Sequence, residues 1–167
     1  MTRCASDSAA AGQTETGRTF ELSDEVATEA LGAALAPLLA RGDVLALTGD
    51  LGAGKTTLAR GIVRSLGYRG TVPSPTFTLV QHYEIDPLPV AHFDLYRIGA
   101  ADEIVELGFD EARAEGIVLL EWPERMGSYL PADRLQIALD YDAAGKARLA
   151  RVRGPGDWAE RLRALSP

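Results

Sequence analysis

The sequence predicts an α/β fold, with helices on both faces of a mainly parallel sheet and a β-hairpin at the C-terminal end. Three observations predict it. Asp43-Val44-Leu45-Ala46-Leu47-Thr48 and Ile117-Val118-Leu119-Leu120 are short apolar runs of the kind that become buried parallel strands. Segments with apolar residues at helical spacing stand between the strand-like runs. Near the end, Leu135, Ile137, Leu139 and Tyr141 stand at alternate positions, as do Ala147, Leu149 and Arg151, with Gly145 between the two sets.

The elements follow in order. Met1 to Gly17 is rich in Ala, Ser, Thr and Gly and lacks the apolar core of a signal peptide. Residues 1–18 are therefore expected to be a disordered tail, and residues 19–167 a single domain. The one cysteine, Cys4, falls in that tail, so neither a disulfide framework nor a cysteine metal site is available. Thr19 to Leu22 reads as a short edge strand. Ser23 is a candidate N-cap, with Asp24 and Glu25 in the first turn, where negative charge suits the helix dipole. That helix runs to about Leu39, with Val26, Ala30, Leu31, Leu35 and Leu38 on its apolar side, and Gly42 closes the segment. After the second helix, Val72-Pro73-Ser74-Pro75 excludes regular structure. Phe77 to Ile85 reads as a strand, Asp86 to Pro89 as a turn and Val90 to Asp94 as another strand. Short helices are expected over Ala101 to Leu107 and Asp110 to Ala114. Asp157 begins a last helix bearing Trp158, Leu162 and Leu165.

The chemistry is concentrated where the first apolar run ends. Gly49-Asp50-Leu51-Gly52-Ala53-Gly54-Lys55-Thr56-Thr57 fits G-x-x-x-x-G-K-[ST], the phosphate-binding P-loop. Such a loop turns successive backbone N–H groups inward as an anion nest, and the following helix adds its N-terminal donors. Leu58, Ile62 and Leu66 continue at helical spacing to Gly67, giving the strand, loop and helix that the motif requires. The fold class is therefore a three-layer P-loop NTPase fold. Gly52, Ala53, Gly54, Lys55, Thr56 and Thr57 are the candidate phosphate-binding residues. Lys55 would reach the β- and γ-phosphates, and the Thr56 hydroxyl would sit on Mg²⁺. The chain has only two lysines, Lys55 and Lys146, and its other basic side chains are arginines. A compact ammonium fits beside a phosphate where a planar guanidinium does not.

Such a site also needs a carboxylate for the metal or for its water. Glu121 follows Ile-Val-Leu-Leu and Asp94 follows Val-Ala-His-Phe, both at the ends of apolar runs. One would ligate Mg²⁺ and the other would ligate it or orient water, and the pattern leaves the two roles interchangeable. His92 reads as a satisfied core histidine and His82 as a surface residue. Two histidines and one cysteine make a zinc site a poor fit. Ser74-Pro75-Thr76-Phe77 is either a proline-stiffened turn or a switch-like loop that brings a hydroxyl near the γ-phosphate.

The formal net charge of −7 argues against a large phosphate-gripping surface, so any nucleic acid would be held by a partner. No apolar run approaches the length of a membrane span.

The motifs together resemble a known family. Gly49 to Thr57, Ser74-Pro75-Thr76-Phe77-Thr78-Leu79-Val80, His92-Phe93-Asp94-Leu95-Tyr96-Arg97 and Glu121-Trp122-Pro123-Glu124 occur in that order and at compatible spacing. The stretch from about Ser23 to Arg153 closely resembles TsaE, the bacterial ATPase family of tRNA threonylcarbamoyladenosine biosynthesis. The resemblance implies a small cytoplasmic Mg²⁺-dependent ATPase. It would act with the TsaB–TsaD complex, which transfers a threonylcarbamoyl group to N6 of adenosine 37 in tRNA. ATP hydrolysis would reset that complex between turnovers, and tRNA would be met only through the partners. By the same resemblance, Lys55 and Thr56 bind phosphate and Mg²⁺, and Glu121 is a metal ligand. Asp94 falls in a switch-like motif required for hydrolysis, and Thr76 in the first switch-like loop. Trp122, Glu124 and Lys146 lie near the nucleotide. Val72-Pro73 departs from the family pattern, where a polar residue usually precedes the serine.

The main alternative is a small-molecule P-loop kinase, for which Arg148, Arg151 and Arg153 could be misread as a lid. Their alternation along a strand reads instead as a solvated face. A GTP-dependent switch would carry N-K-x-D, and the chain contains no asparagine. A nucleotide-binding subunit without turnover is a third reading.

Overall fold

The structure, a computed structural model, describes residues 16–142, 145 and 147–165. The tail reading over residues 1–15, with Cys4, and the assignment of Lys146 lie outside the described residues.

Aliphatic side chains on both faces of one sheet decide the architecture. Along the chain run β1 (Thr16–Leu22), α1 (Glu25–Leu35), β2 (Val44–Thr48), α2 (Lys55–Ser65), β3 (Val80–Tyr83) and β4 (Val90–Asp94). They are followed by α3 (Glu103–Glu106), α4 (Phe109–Glu115), β5 (Ile117–Glu121), β6 (Leu135–Tyr141), β7 (Arg148–Gly154) and α5 (Trp158–Arg161). The seven strands lie in the order β1-β7-β6-β2-β5-β4-β3. β6, β2, β5 and β4 are mutually parallel, while β3, β7 and β1 join antiparallel. The central parallel strands are the apolar runs, and every residue of β4 and β5 is buried. Strand alternation sends Leu45, Leu47, Ile117 and Leu119 to the face covered by α1 and α2. It sends Val44, Val118 and Leu120 to the other face, against Phe93, Phe109 and Met126.

α1 and α2 cross backbone to backbone. A Cβ on Gly32 would lie 2.4 Å from Leu58 O, and one on Gly61 2.2 Å from Glu29 O. The stripe of α1 that faces this crossing is Thr28, Leu31, Gly32 and Leu35. Asp24, rather than Ser23, is the N-cap, its Oδ1 accepting from Ala27 N at 2.8 Å. With that phase Val26 points to solvent and is 76% exposed, against the sequence expectation. Small and polar residues hold inward positions because the partner helix is so close, and an apolar pattern cannot register that.

Other boundaries also move. β1 includes Thr16, Gly17 and Arg18, which the sequence reading assigns to the tail; they pair with Gly154, Arg153 and Val152. The strand expected from Phe77 begins only at Val80. Leu79 takes φ 65°, and its N–H bonds Pro75 O at 2.7 Å, so Pro75 to Leu79 is a turn. In β7 the buried residues are Ala150, Val152 and Gly154, the opposite phase from the alternating Ala147 and Leu149. Among the described residues no helix is long and apolar enough to cross a membrane.

The C-terminal segment is built into the sheet. Trp158 is buried, donates from Nε1 to Asp133 O at 3.0 Å and carries the Arg161 guanidinium 4.3 Å from its ring centroid. Arg161 also bonds Asp43 at 2.5 Å. Trp158→Ala is expected to cost about 3–5 kcal/mol, read as a lower urea midpoint at unchanged slope. A shift under about 1 kcal/mol would show that the segment is not part of the cooperative core.

Candidate functional site

The sheet order sets the site before any side chain is placed. The carboxyl ends of β2, β5 and β4 are neighbours, and ligands of open α/β sheets bind outside such ends. β2 leads into the glycine loop. β5 ends in Glu121 and β4 in Asp94, and these two residues are directly paired in register.

The loop needs its glycines. Gly49 has φ 138°, and a Cβ there would lie 2.3 Å from Leu139 O on β6. Gly54, the N-cap of α2, has φ 108°. This left-handed conformation is open to glycine at little cost. Thr56 and Thr57 follow Lys55 in the first turn of α2, where unpaired N–H groups favour an anion.

Lys55 is almost wholly buried and folds back over its own loop. Its Nζ donates to Gly49 O at 2.7 Å and Asp50 O at 2.9 Å, and lies 4.2 Å from the Trp122 ring centroid. Burial pulls the Lys55 ammonium below the ordinary lysine value of 10.5, while Glu121, Asp94, Glu124 and Asp50 oppose that shift. Trp122 reaches this position because its backbone is left-handed, φ 58° and ψ 50°, directly after β5. A non-glycine residue there is strained by roughly 1–3 kcal/mol.

Two hydroxyl–carboxylate pairs face the same cavity. Thr56 Oγ1 donates to Glu121 Oε1 at 2.8 Å. Thr76 Oγ1 donates to Asp94 Oδ2 at 2.8 Å and lies 2.7 Å from Ser74 Oγ. Asp94 Oδ1 accepts from Tyr96 N at 3.0 Å. Both carboxylates are 3% exposed. His92, fully buried, meets Glu121 Oε1 through Nε2 at 2.8 Å. A carboxylate has no proton to give, so that nitrogen carries the hydrogen. Its Nδ1 has no hydrogen-bond partner among the described residues. His92 is thus a core histidine that also fixes the Glu121 carboxylate, a link the sequence reading did not make.

A cavity of about 230 Å³ is lined by Gly52, Gly54, Lys55, Thr56, Thr57, Thr76, Asp94, Glu121 and Trp122. These sequence candidates come together in space. Ala53 is buried within the loop and does not line the cavity. Glu124 is exposed and does not line it either, because the 3-10 turn from Pro123 carries the chain away; it acts on Lys55 only through charge. Glu25, Leu51, Ser74, Tyr96 and Arg148 also line the cavity. Tyr96 packs on Trp122 with ring centroids 4.9 Å apart. Arg148 is a correction, since its place in the alternation had assigned it to a solvated face.

The donor set suits a hard divalent cation shared with a ligand. Among the described residues no group of three or more His, Cys, Asp and Glu could hold a metal alone. One hydroxyl and one or two carboxylates are what Mg²⁺ takes where phosphates and water supply the rest. The buried ammonium and the glycine loop fit those phosphates.

A glycine loop that joins a buried parallel strand to a helix, opposite acids on the neighbouring strand ends, is the architecture of a P-loop NTPase-like, nucleotide-binding protein. The comparisons with known proteins then narrow the class. The chain belongs to the TsaE family: the model described as threonylcarbamoyl adenosine biosynthesis protein TsaE matches residues 22–150. It is 42% identical over 136 residues to the tRNA threonylcarbamoyladenosine biosynthesis protein TsaE of Streptomyces coelicolor, covering 77% of this chain and 92% of that one. The protein of the same name from Bacillus subtilis is 43% identical over 113 residues, 67% of this chain and 70% of the relative. The crystal structure of Bacillus subtilis YdiB superposes with a TM-score of 0.76 at 31% identity, covering 91% of this chain and 95% of that chain. The family's role is in the biosynthesis of threonylcarbamoyladenosine in tRNA.

Proposed function

We propose that the chain is a Mg²⁺-dependent ATPase that acts with TsaB and TsaD in threonylcarbamoylation of adenosine 37, hydrolysing ATP to reset that complex between turnovers. The observation that carries the reading is the pair of hydroxyl–carboxylate contacts, Thr56 with Glu121 and Thr76 with Asp94, around one cavity with Lys55.

The residues divide the work. The glycine-loop amides and Lys55 bind the phosphate chain, and the ammonium exchanges its two loop carbonyls for phosphate oxygens. Thr56 and Glu121 would hold Mg²⁺, which when bound neutralises phosphate charge. Asp94, tied to Thr76 and Ser74, is suited to orient the attacking water. In hydrolysis a water oxygen bonds the γ-phosphorus, the bond to the β-bridging oxygen breaks, ADP leaves with that oxygen, and the proton the water gives up passes to an oxygen of the released phosphate. The partners of the two acids support this division: Glu121 bonds the hydroxyl next to Lys55, and Asp94 bonds the switch-like loop.

The test is a multi-turnover tRNA modification assay with purified TsaB and TsaD, with and without the chain. The expected result is that product stops near one equivalent per complex without the chain, or with a non-hydrolysable ATP analogue in place of ATP. Phosphate release by the chain should also rise when the complex is added. Full turnover without ATP hydrolysis would sink the proposal, and phosphate transfer to a small metabolite would replace it with a kinase.

A further inference from the structure

Arg148 begins β7, and the hairpin delivers it to the glycine loop. Its Nη2 donates to Gly52 O at 3.5 Å, and its Cζ lies 5.6 Å from the Tyr141 ring centroid. A Cβ built on Gly54 would lie 3.6 Å from both its Cδ and its Nε. The Nε is buried and has no hydrogen-bond partner among the described residues. A buried donor without a partner is costly and is normally answered by a ligand or water. Its neighbour Arg151, by contrast, is tied to Asp140. Arg148 is therefore a cation held loosely at the rim of an anion-binding loop, with a donor to spare.

We propose that Arg148 is a nucleotide-binding residue of this chain, gripping the phosphate chain from the hairpin on its α/β side. The placement follows from the loop. Lys55 and Thr56 mark the β- and γ-phosphates. The loop backbone itself cradles the α- and β-phosphates, and Arg148 meets that backbone at Gly52 and Gly54. Thr76 and Asp94, the groups suited to the γ-phosphate, bond each other and not Arg148. A guanidinium offers a planar fork to phosphate oxygens, which a lysine at this position would not. The inference rests on the reading that the cavity takes ATP.

Titration calorimetry of the full chain with ADP and with ATP tests it. Arg148→Ala is expected to raise both dissociation constants by about tenfold and by similar factors, because the contact does not involve the γ-phosphate. Arg148→Lys should lie between, keeping charge but losing the fork. Arg148→Met keeps an apolar stem against Tyr141 and serves if the alanine variant loses its fold. Unchanged affinities in a folded variant, or weakening confined to ATP, would overturn the proposal. A lower melting temperature with unchanged affinities would show that Arg148 only braces the hairpin. Lys55→Ala is measured alongside. If it weakens binding and the Arg148 variants do not, this proposal alone falls; if neither does, the ATP reading falls with it.

Discussion

Lys55→Ala is expected to raise the dissociation constant for ATP by on the order of 100-fold, measured by calorimetry, with hydrolysis lost in parallel. The size follows from burial. Lys55 is 4% exposed, and the hydrogen-bond acceptors of its ammonium are two loop carbonyls. A buried cation facing a phosphate makes a charge-assisted contact that water screens little. Its removal also leaves the Gly49 and Asp50 carbonyls without that donor. Glu121→Gln should behave differently: binding changes little while phosphate release falls by about 10²–10³. A glutamine keeps the shape and one oxygen but not the charge. Turnover unchanged in that variant would remove Glu121 from the mechanism. The pH dependence carries a sign. Burial sets the Lys55 ammonium below the usual 10.5, and phosphate binding needs the charged form. ATP affinity should therefore fall as pH rises, beginning below the range in which an ordinary lysine loses its proton.

Gly61→Val is expected to destabilise the fold by about 3 kcal/mol or more, and even Gly61→Ala should be net unfavourable. In an exposed helix the alanine would gain about 1 kcal/mol. Here its Cβ would sit 2.2 Å from Glu29 O and 2.9 Å from Glu29 C, both backbone atoms that cannot rotate away. Gly32 stands in the same position towards Leu58 O. The two helices would have to separate, loosening Leu31, Leu35, Leu58 and Ile62 in the core beneath. About 3 kcal/mol corresponds to a melting temperature lower by roughly 6–12 °C for a chain of this size. An unchanged melting temperature would mean that α1 rides freely on α2.

Much of the site is legible in the sequence because local chemistry encodes it. A glycine loop between an apolar run and a helix needs Gly49 and Gly54 for its backbone and Lys55 for its charge. Asp94 and Glu121 announce themselves by ending buried runs. Glu124 does not line the cavity because a motif neighbour need not share a direction: the left-handed Trp122 and the turn after it send the chain outward. The phase of β7 was misread for a related reason. Arg148, Leu149 and Arg151 offer no clear apolar alternation, and pairing with β1 and β6 decides which face turns inward.

By itself the sequence determined the fold class, the glycine loop and the acids at the neighbouring strand ends, because each depends on residues close in the chain or on strand-end position. Only the tertiary structure decided how these pieces meet. It paired Asp94 with Glu121 across β4 and β5, set His92 against Glu121, and brought Arg148 from the hairpin to the loop. Those contacts depend on strand order and register, which are fixed by burying both faces of one sheet at once and have no local signature.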